Sequence, residues 1–396
     1  MTIAANIAKT LADAVNRQRL VDTAVRLIAA PSWTGQAGKA CECLAQVLIE
    51  DGFSVERPTG GHECAPAVAT RLNSSGPASR RSGRVLQFNG HLDTVHLPFA
   101  APQVAGDRIT GSGASDMKGG IAAAVEALRV LRDTQALPAG SVLLTAHDLH
   151  EAPWGAGQQL DRLIRDGYVG DGVLLPEPLC DCLPVVGRGG ATWKVTIRRP
   201  GAPVHEVMRP MEEPSVIAAG AELVIRLGRL GERLAAKSDA LAGAETVFIG
   251  QIHSGEIFNQ YPQECWLEGT RRWLPGTGKH DVEKEFRALL TDLERDMQTT
   301  VQADFRFIRD DFRLDLQDPL VESFQQAYEA VSGTRLAIGA KPFMDDGNAF
   351  WGQARKPAIT HGPRAGGQHT VNEWVSIDDL VRLAKVYALT AVTYCA

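Results

Sequence analysis

The segment Thr145–Gly157 reads TAHDLHEAPWGAG, and its His147, Asp148, His150 and Glu151 are all groups that bind metal or move protons. His150–Glu151 opens as the helical zinc motif H-E-x-x-H does, in which both histidines share one helical face. Trp154 stands where the second histidine is required, and Pro153 disturbs such a helix. Any chemistry at His150 and Glu151 therefore needs partners from elsewhere in the chain.

Candidates for those partners are few. NGHLDTV ends an apolar run with His91 and Asp93. Alternate residues of a strand share a face, so both side chains reach one spot beyond the strand's end, where open α/β sheets place their sites. GSGASDMKGG sets Asp116 in a glycine-rich turn ahead of a small-residue run, where a lone aspartate also reads as a helix N-cap. Glu151 and Glu177 each follow an apolar run, in LLTAHDLHE and LLPEP, and taken singly are exposed loop acids. His369 follows a glycine turn in GGQHTVNEW. Together, two histidines and three carboxylates are the donors that a pair of zinc-like divalent ions requires: anionic ligands offset the repulsion between the cations and leave a position for water.

Elements must bring these residues to one place. Residues 6–30 carry apolar side chains at helical spacing, and GKACECLAQVLIEDGF is a second amphipathic helix ending at Gly52. APAVATRL and GRVLQFNGHLDTV read as strands separated by the turn-rich NSSGPASRRSG; then follow a helix in KGGIAAAVEALRVLRD and strands in GSVLLTAHD and GVLLPEP. Helices alternating with apolar strands predict an α/β fold, a mixed, mostly parallel sheet sandwiched by helices. Beyond Gly187 the pattern becomes strand, helix, strand, strand, helix, strand, through GRGGATWKVTIRRPG, residues 214–236, AETVFIGQIHSG, ECWLEGTRRWLPG, HDVEKEFRALLTDLERDM and QADFRFIRDDF. That order predicts an inserted antiparallel α+β unit, ferredoxin-like, over 187–314, with 1–186 and 315–396 forming the larger domain.

GHLDTV, GSGASDMKGG, the HE before a glycine turn, LPEP and GGQHTVNEW occur in an order and spacing that resemble the co-catalytic metallopeptidases. That family includes glutamate carboxypeptidase, acetylornithine deacetylase, succinyl-diaminopimelate desuccinylase and aminoacylase. The resemblance spans nearly the whole chain. It implies a phosphorylase/hydrolase-like catalytic domain in which Asp116 bridges two divalent ions, His91 and Glu177 hold one, and Glu151 and His369 hold the other. Zinc is the expected metal, with manganese or cobalt as alternatives. Asp93 is expected behind His91, orienting its imidazole, as ligand histidines generally require. The inserted unit corresponds to the family's lid and dimerisation domain. GAPVHEVMRP resembles its segment with a histidine that reaches a partner's active site, here His205, and EIFNQYPQECWLEGTRRWLPG its carboxylate-binding segment, here Asn259 and Arg272, with Arg271 as the neighbouring alternative. FMDDGNAFWG and THGPRAGG match substrate-side loops, which places Asp346 and Gly362 at the pocket; Trp154, Trp351 and Trp374 are candidates for an aromatic wall.

One position departs from the pattern. Most members carry two adjacent glutamates before the glycine turn, the first a general base and the second a ligand; here the first is His150. A histidine can serve as base, since its unperturbed pKa of about 6.5 lies near working pH. It can equally be an extra ligand or substrate contact, or the mark of lost hydrolysis. The expected activity is cleavage of an amide C–N bond in a small carboxylate-bearing substrate. The alternatives are hydrolysis of a non-peptide C–N bond, in an aromatic amine or ureido compound, and a non-catalytic dimer that binds a small carboxylate.

Composition agrees with a soluble cytoplasmic protein acting on small molecules, while the homodimer is what the resemblance implies. The net charge is -6, with Lys and Arg scattered, which gives no footprint for nucleic acid. No apolar run approaches the roughly 18 residues needed to cross a membrane, and no basic leader precedes an apolar core. Seven cysteines, an odd number in a chain of 396 residues, predict reduced thiols.

Overall fold

The computed structural model describes residues 5–75 and 82–396, so the middle of NSSGPASRRSG lies outside the described residues. The chain divides into two compact units: Met1–Val185 with Leu314–Ala340 and Asp345–Ala396, and Val186–Arg313 with Lys341–Met344. The short return of Lys341–Met344 to the second unit carries no composition change that would announce it.

A six-stranded sheet organises the first unit, in the order Val55–Glu56, Val68–Asn73, Ser141–His147, Val85–His91, Gly172–Leu175, Ala358–Thr360. The two pairings at the Val55 edge are antiparallel, and the remaining three are parallel. Ser141–His147 is buried throughout, which is why it reads as a continuous apolar run rather than an alternating one. Helices cover both faces. On the Phe88 side lie Gly119–Thr134 and Ile377–Tyr394, with Tyr387 stacked on Phe88 at 4.9 Å. On the other side Gln158–Arg165 joins Val173, Leu175 and Phe350 in an apolar cluster. The predicted helix over 6–30 is two, Ala5–Ala14 and Arg17–Ile28, because Asn16 caps the second by accepting from the Arg19 N–H.

In the second unit four antiparallel strands run in the order Thr246–Ser254, Glu264–Trp273, Gly189–Arg198, Thr300–Arg309, which is ferredoxin-like. Its two helices are Val216–Ala235 and Lys279–Met297. Val216, Leu223, Leu227, Leu230 and Leu234 recur at helical spacing and pack with Val195, Ile197, Leu267 and Trp273. Inside this unit Arg271 and Glu245, each 1% exposed, pair at 2.6 Å. The edge strand Thr246–Ser254 leaves Phe248 and Ile252 61% and 52% exposed. All seven cysteines are free thiols. Among the described residues no helix is long and apolar enough to cross a membrane.

Candidate metal centre

The parallel pairing of Val85–His91 with Ser141–His147 places Asn89 beside Thr145 and His91 beside His147, at the carboxyl ends of both strands. Asp116 follows in a turn opened by Gly113, whose φ of 77° suits glycine. Glu151 and Glu177 lie in the loops after their strands, and His369, at φ 58°, in the loop before Trp374–Ser376.

These loops converge. His91 Nε2 lies 3.1 Å from Asp116 Oδ1 and 3.7 Å from Glu177 Oε1. His369 Nε2 lies 3.4 Å from Asp116 Oδ2 and 3.2 Å from Glu151 Oε2. Each oxygen of Asp116 thus faces a different imidazole, and each imidazole also faces a different glutamate. His91, Asp116 and Glu151 present donor atoms within 4.8 Å of one another, and so do His91, His150 and Glu177. The donors are imidazole nitrogens and carboxylate oxygens, with His91, Glu151 and Glu177 buried, Asp116 and His150 partly so and His369 exposed, a set that fits two divalent ions of the zinc, manganese or cobalt type.

The electrostatics are those of a site that favours positive charge. Burial opposes protonation of His91, yet Asp116 and Glu177 outweigh it and hold its pKa well above the ordinary histidine value. Asp116 and Glu151 raise His369 to about 10. Burial and the Asp116 charge push Glu177 up to about 8. Asp116 itself stays far below the carboxylate range, because His369 and His91 overcome its burial.

Other expected site residues fall in different places. Asp93, expected to orient the His91 imidazole, lies beside it, with Oδ1 3.6 Å from His91 Nδ1 and the backbone carbonyl 3.1 Å from the same nitrogen. Oδ2 accepts the backbone N–H groups of His150 and Glu151, at 3.0 Å each, so Asp93 shapes the loop that carries them. Asp346, expected at the substrate, is 1% exposed and enclosed by protein donors. Gly362, expected at the pocket, lies against a proposed ligand's backbone: a Cβ there would lie 2.1 Å from the Glu177 carbonyl oxygen, so its lack of a side chain lets that segment close. His205, Asn259 and Arg272 belong to the second unit. There Asn259 Nδ2 and His205 Nε2 meet at 3.0 Å. Arg271 is committed to Glu245, whereas Arg272 is half-buried and beside Arg188, with its pKa lowered by burial and that neighbour. Of the tryptophans, Trp154 stacks on His96 at 4.3 Å and is 43% exposed, while Trp374 lies under Arg108 at 3.9 Å.

Three supporting residues were not singled out from the sequence. Glu373 accepts the N–H groups of Ser115 and Asp116 at 3.2 Å each, holding the Asp116 turn, and burial with the nearby Asp116 raises it to about 7. Asn89 and Thr145 are hydrogen-bonded to one another at 2.8 Å beneath the histidines. The signal for these two was present: each stands two residues before a strand-end histidine and so shares its face.

The chain matches the profile of peptidase family M20/M25/M40 over residues 87–393. It is 28% identical to a succinyl-diaminopimelate desuccinylase of Methylobacterium sp. (strain 4-46) over 387 residues, covering 91% of this chain and 92% of the relative. The fold is shared with a tripeptidase of Staphylococcus aureus (TM-score 0.80, 20% identity, 96% and 99% of the two chains) and with aminopeptidase PepT of Bacillus cereus (TM-score 0.78, 19% identity, 96% and 99%). A dinuclear metal-binding peptidase of Bacillus subtilis has the same fold, with a TM-score of 0.69 at 16% identity over 96% of this chain and 98% of that one. With a family profile spanning most of its length and the ligand set gathered at the strand ends, this chain belongs to peptidase family M20/M25/M40 and is a metal-dependent hydrolase of amide bonds.

Proposed function

We propose that the substrate is a small amide carrying a free carboxylate, of the N-acyl amino acid or short-peptide kind, and that His91, Asp116, Glu151, Glu177 and His369 hold two zinc ions. The observation that carries the reading is the split of Asp116 between two imidazole–glutamate sets, at 3.1 Å and 3.4 Å. When bound, two such cations supply Lewis-acid polarisation of a carbonyl and a water of lowered pKa.

The chain's own residues do the rest. His150, its Nδ1 engaged by Asp346 at 2.9 Å, keeps Nε2 on the side of Glu177 Oε1, 3.9 Å away. Through Nε2 it takes the proton of the attacking water and returns it to the leaving amine. Arg272, whose guanidinium has no acid partner among the described residues, clamps the substrate carboxylate with its planar fork, beside Asn259. His205, half-exposed, donates to the developing oxyanion in a partner subunit. The second unit acts as lid and dimerisation domain, a role supported by the apolar exposure of its edge strand. Seven free thiols favour a cytoplasmic setting.

A second reading rests on the grouping of His150 with His91 and Glu177 within 4.8 Å: His150 is then a further ligand. Metal content measured together with hydrolysis of N-acyl amino acids and dipeptides tests the proposal. Less than one metal per subunit, with no activity restored by Zn, Mn or Co, would refute it.

A further inference from the structure

Asp346 lies in no ligand set, yet three side chains meet its buried carboxylate beside the metal centre. His150 Nδ1 lies 2.9 Å from its Oδ1. His147 Nε2 lies 2.8 Å from its Oδ2, and Asn89 Nδ2 donates to the same oxygen at 3.0 Å. Asn89 is itself fixed, since its Oδ1 accepts from Thr145 Oγ1 at 2.8 Å, and Thr145 Oγ1 accepts from Gln87 Nε2 at 2.7 Å. Gln87, Asn89, Thr145, His147 and Asp346 are each at most 2% exposed. A polar column thus runs under the sheet's carboxyl end and terminates on one nitrogen of His150.

A glutamate at position 150 would present two equivalent oxygens. An imidazole presents two different nitrogens, and only one can face the substrate. The other needs an acceptor to fix the proton on it. We propose that Asp346 is the positioning residue that holds His150 in its Nδ1–H tautomer, leaving the Nε2 lone pair toward the metal centre, with His147 and Asn89 anchoring Asp346 from behind. The parallel stack of His150 on His91, 4.0 Å between centroids at 3°, fixes the ring plane, so Asp346 has only the proton's position left to decide. For catalysis this rests on the assignment of His150 Nε2 as the acting atom; the tautomer itself does not.

Asp346→Asn keeps the shape but can offer an amide N–H to Nδ1, which drives the proton to Nε2. In the serine-protease triad the same exchange lowers kcat about 10⁴-fold by selecting the wrong tautomer. Here kcat should fall at least about 10²-fold, the lower bound for a lost proton-transfer residue, with KM and bound zinc unchanged. In a His150→Glu background the same exchange should change kcat less than about threefold, because the tautomer it controls is gone. An equal loss in both backgrounds would mark Asp346 as structural and overturn the proposal. Neutron diffraction from the zinc-loaded protein gives a readout independent of turnover: deuterium on His150 Nδ1 and none on Nε2 is expected, and deuterium on Nε2 overturns the proposal. Should no amide be hydrolysed by the wild-type protein, the assignment of substrate and base fails, and the neutron map still decides the role of Asp346.

Discussion

Replacing a glutamate base by histidine changes what its neighbours must supply, because a carboxylate needs no tautomer and an imidazole does. His150→Ala should lower kcat by about 10²–10⁴-fold, the usual worth of a positioned proton-transfer group, while metal content stays the same. Loss of metal in that variant would favour the ligand role instead. The two arginines should separate in the same way. Arg272→Ala removes one charged hydrogen-bonding partner, worth about 1.5–3 kcal/mol, and should raise KM for carboxylate substrates about 10- to 100-fold with the melting temperature unchanged. Arg271→Ala strands Glu245 in the core, which typically costs about 3–5 kcal/mol, and should lower thermal stability instead. The sequence singles out the five proposed metal donors because each lies in its own short motif. It did not show which arginine was free, since that depends on Glu245, 26 residues away in the chain, nor the role of Asp346, since its histidine contacts span 196 and 199 residues.

Elements set the site through close approach more than through their own residues. Gly120, in the first turn of its helix, has no room for a Cβ, which would lie 2.2 Å from the Pro176 carbonyl oxygen, and Gly362 meets the next carbonyl, that of Glu177, from another side. Gly362→Ala should therefore displace Glu177 and weaken zinc binding about 10- to 100-fold, as changes behind a ligand commonly do, in a chelator-competition titration. In the second unit, burial of Glu245 is outweighed by Thr277 and Arg271, which lower its pKa. A depressed carboxylate stabilises above its unfolded value and loses that contribution as pH falls through its folded one. Glu245→Gln should accordingly be less stable than wild type at pH 7, with the gap closing below about pH 4, in thermal melts across pH. Periodicity revealed the long strands and most of the long helices, and did not single out Gln158–Arg165, Ile377–Tyr394 or the edge strand Ala358–Thr360. It missed the break at Asn16, where a single capping side chain interrupts an otherwise continuous apolar stripe.

At the scale of the whole molecule, the exposed Phe248 and Ile252 occupy the edge strand of a four-stranded sheet, a surface that invites pairing with another strand. For the proposed dimer, Phe248→Asp with Ile252→Asp should give a monomer in sedimentation where wild type gives a dimer, and loss of activity with that change would tie His205 to the partner's site. The division of the chain has another consequence, one of timing. The polypeptide changes unit after Val185, Arg313, Ala340 and Met344. Asp346, His369 and Glu373, and the last strand of the central sheet, all lie beyond the final crossing. During synthesis, the strand ends carrying His91 and His147 emerge long before the residues that complete them, while the second unit has by then nearly its entire sequence. The metal centre is therefore among the last parts of the protein that translation allows to form, and a chain stopped short of Asp346 would leave His147 and His150 without the carboxylate that meets both.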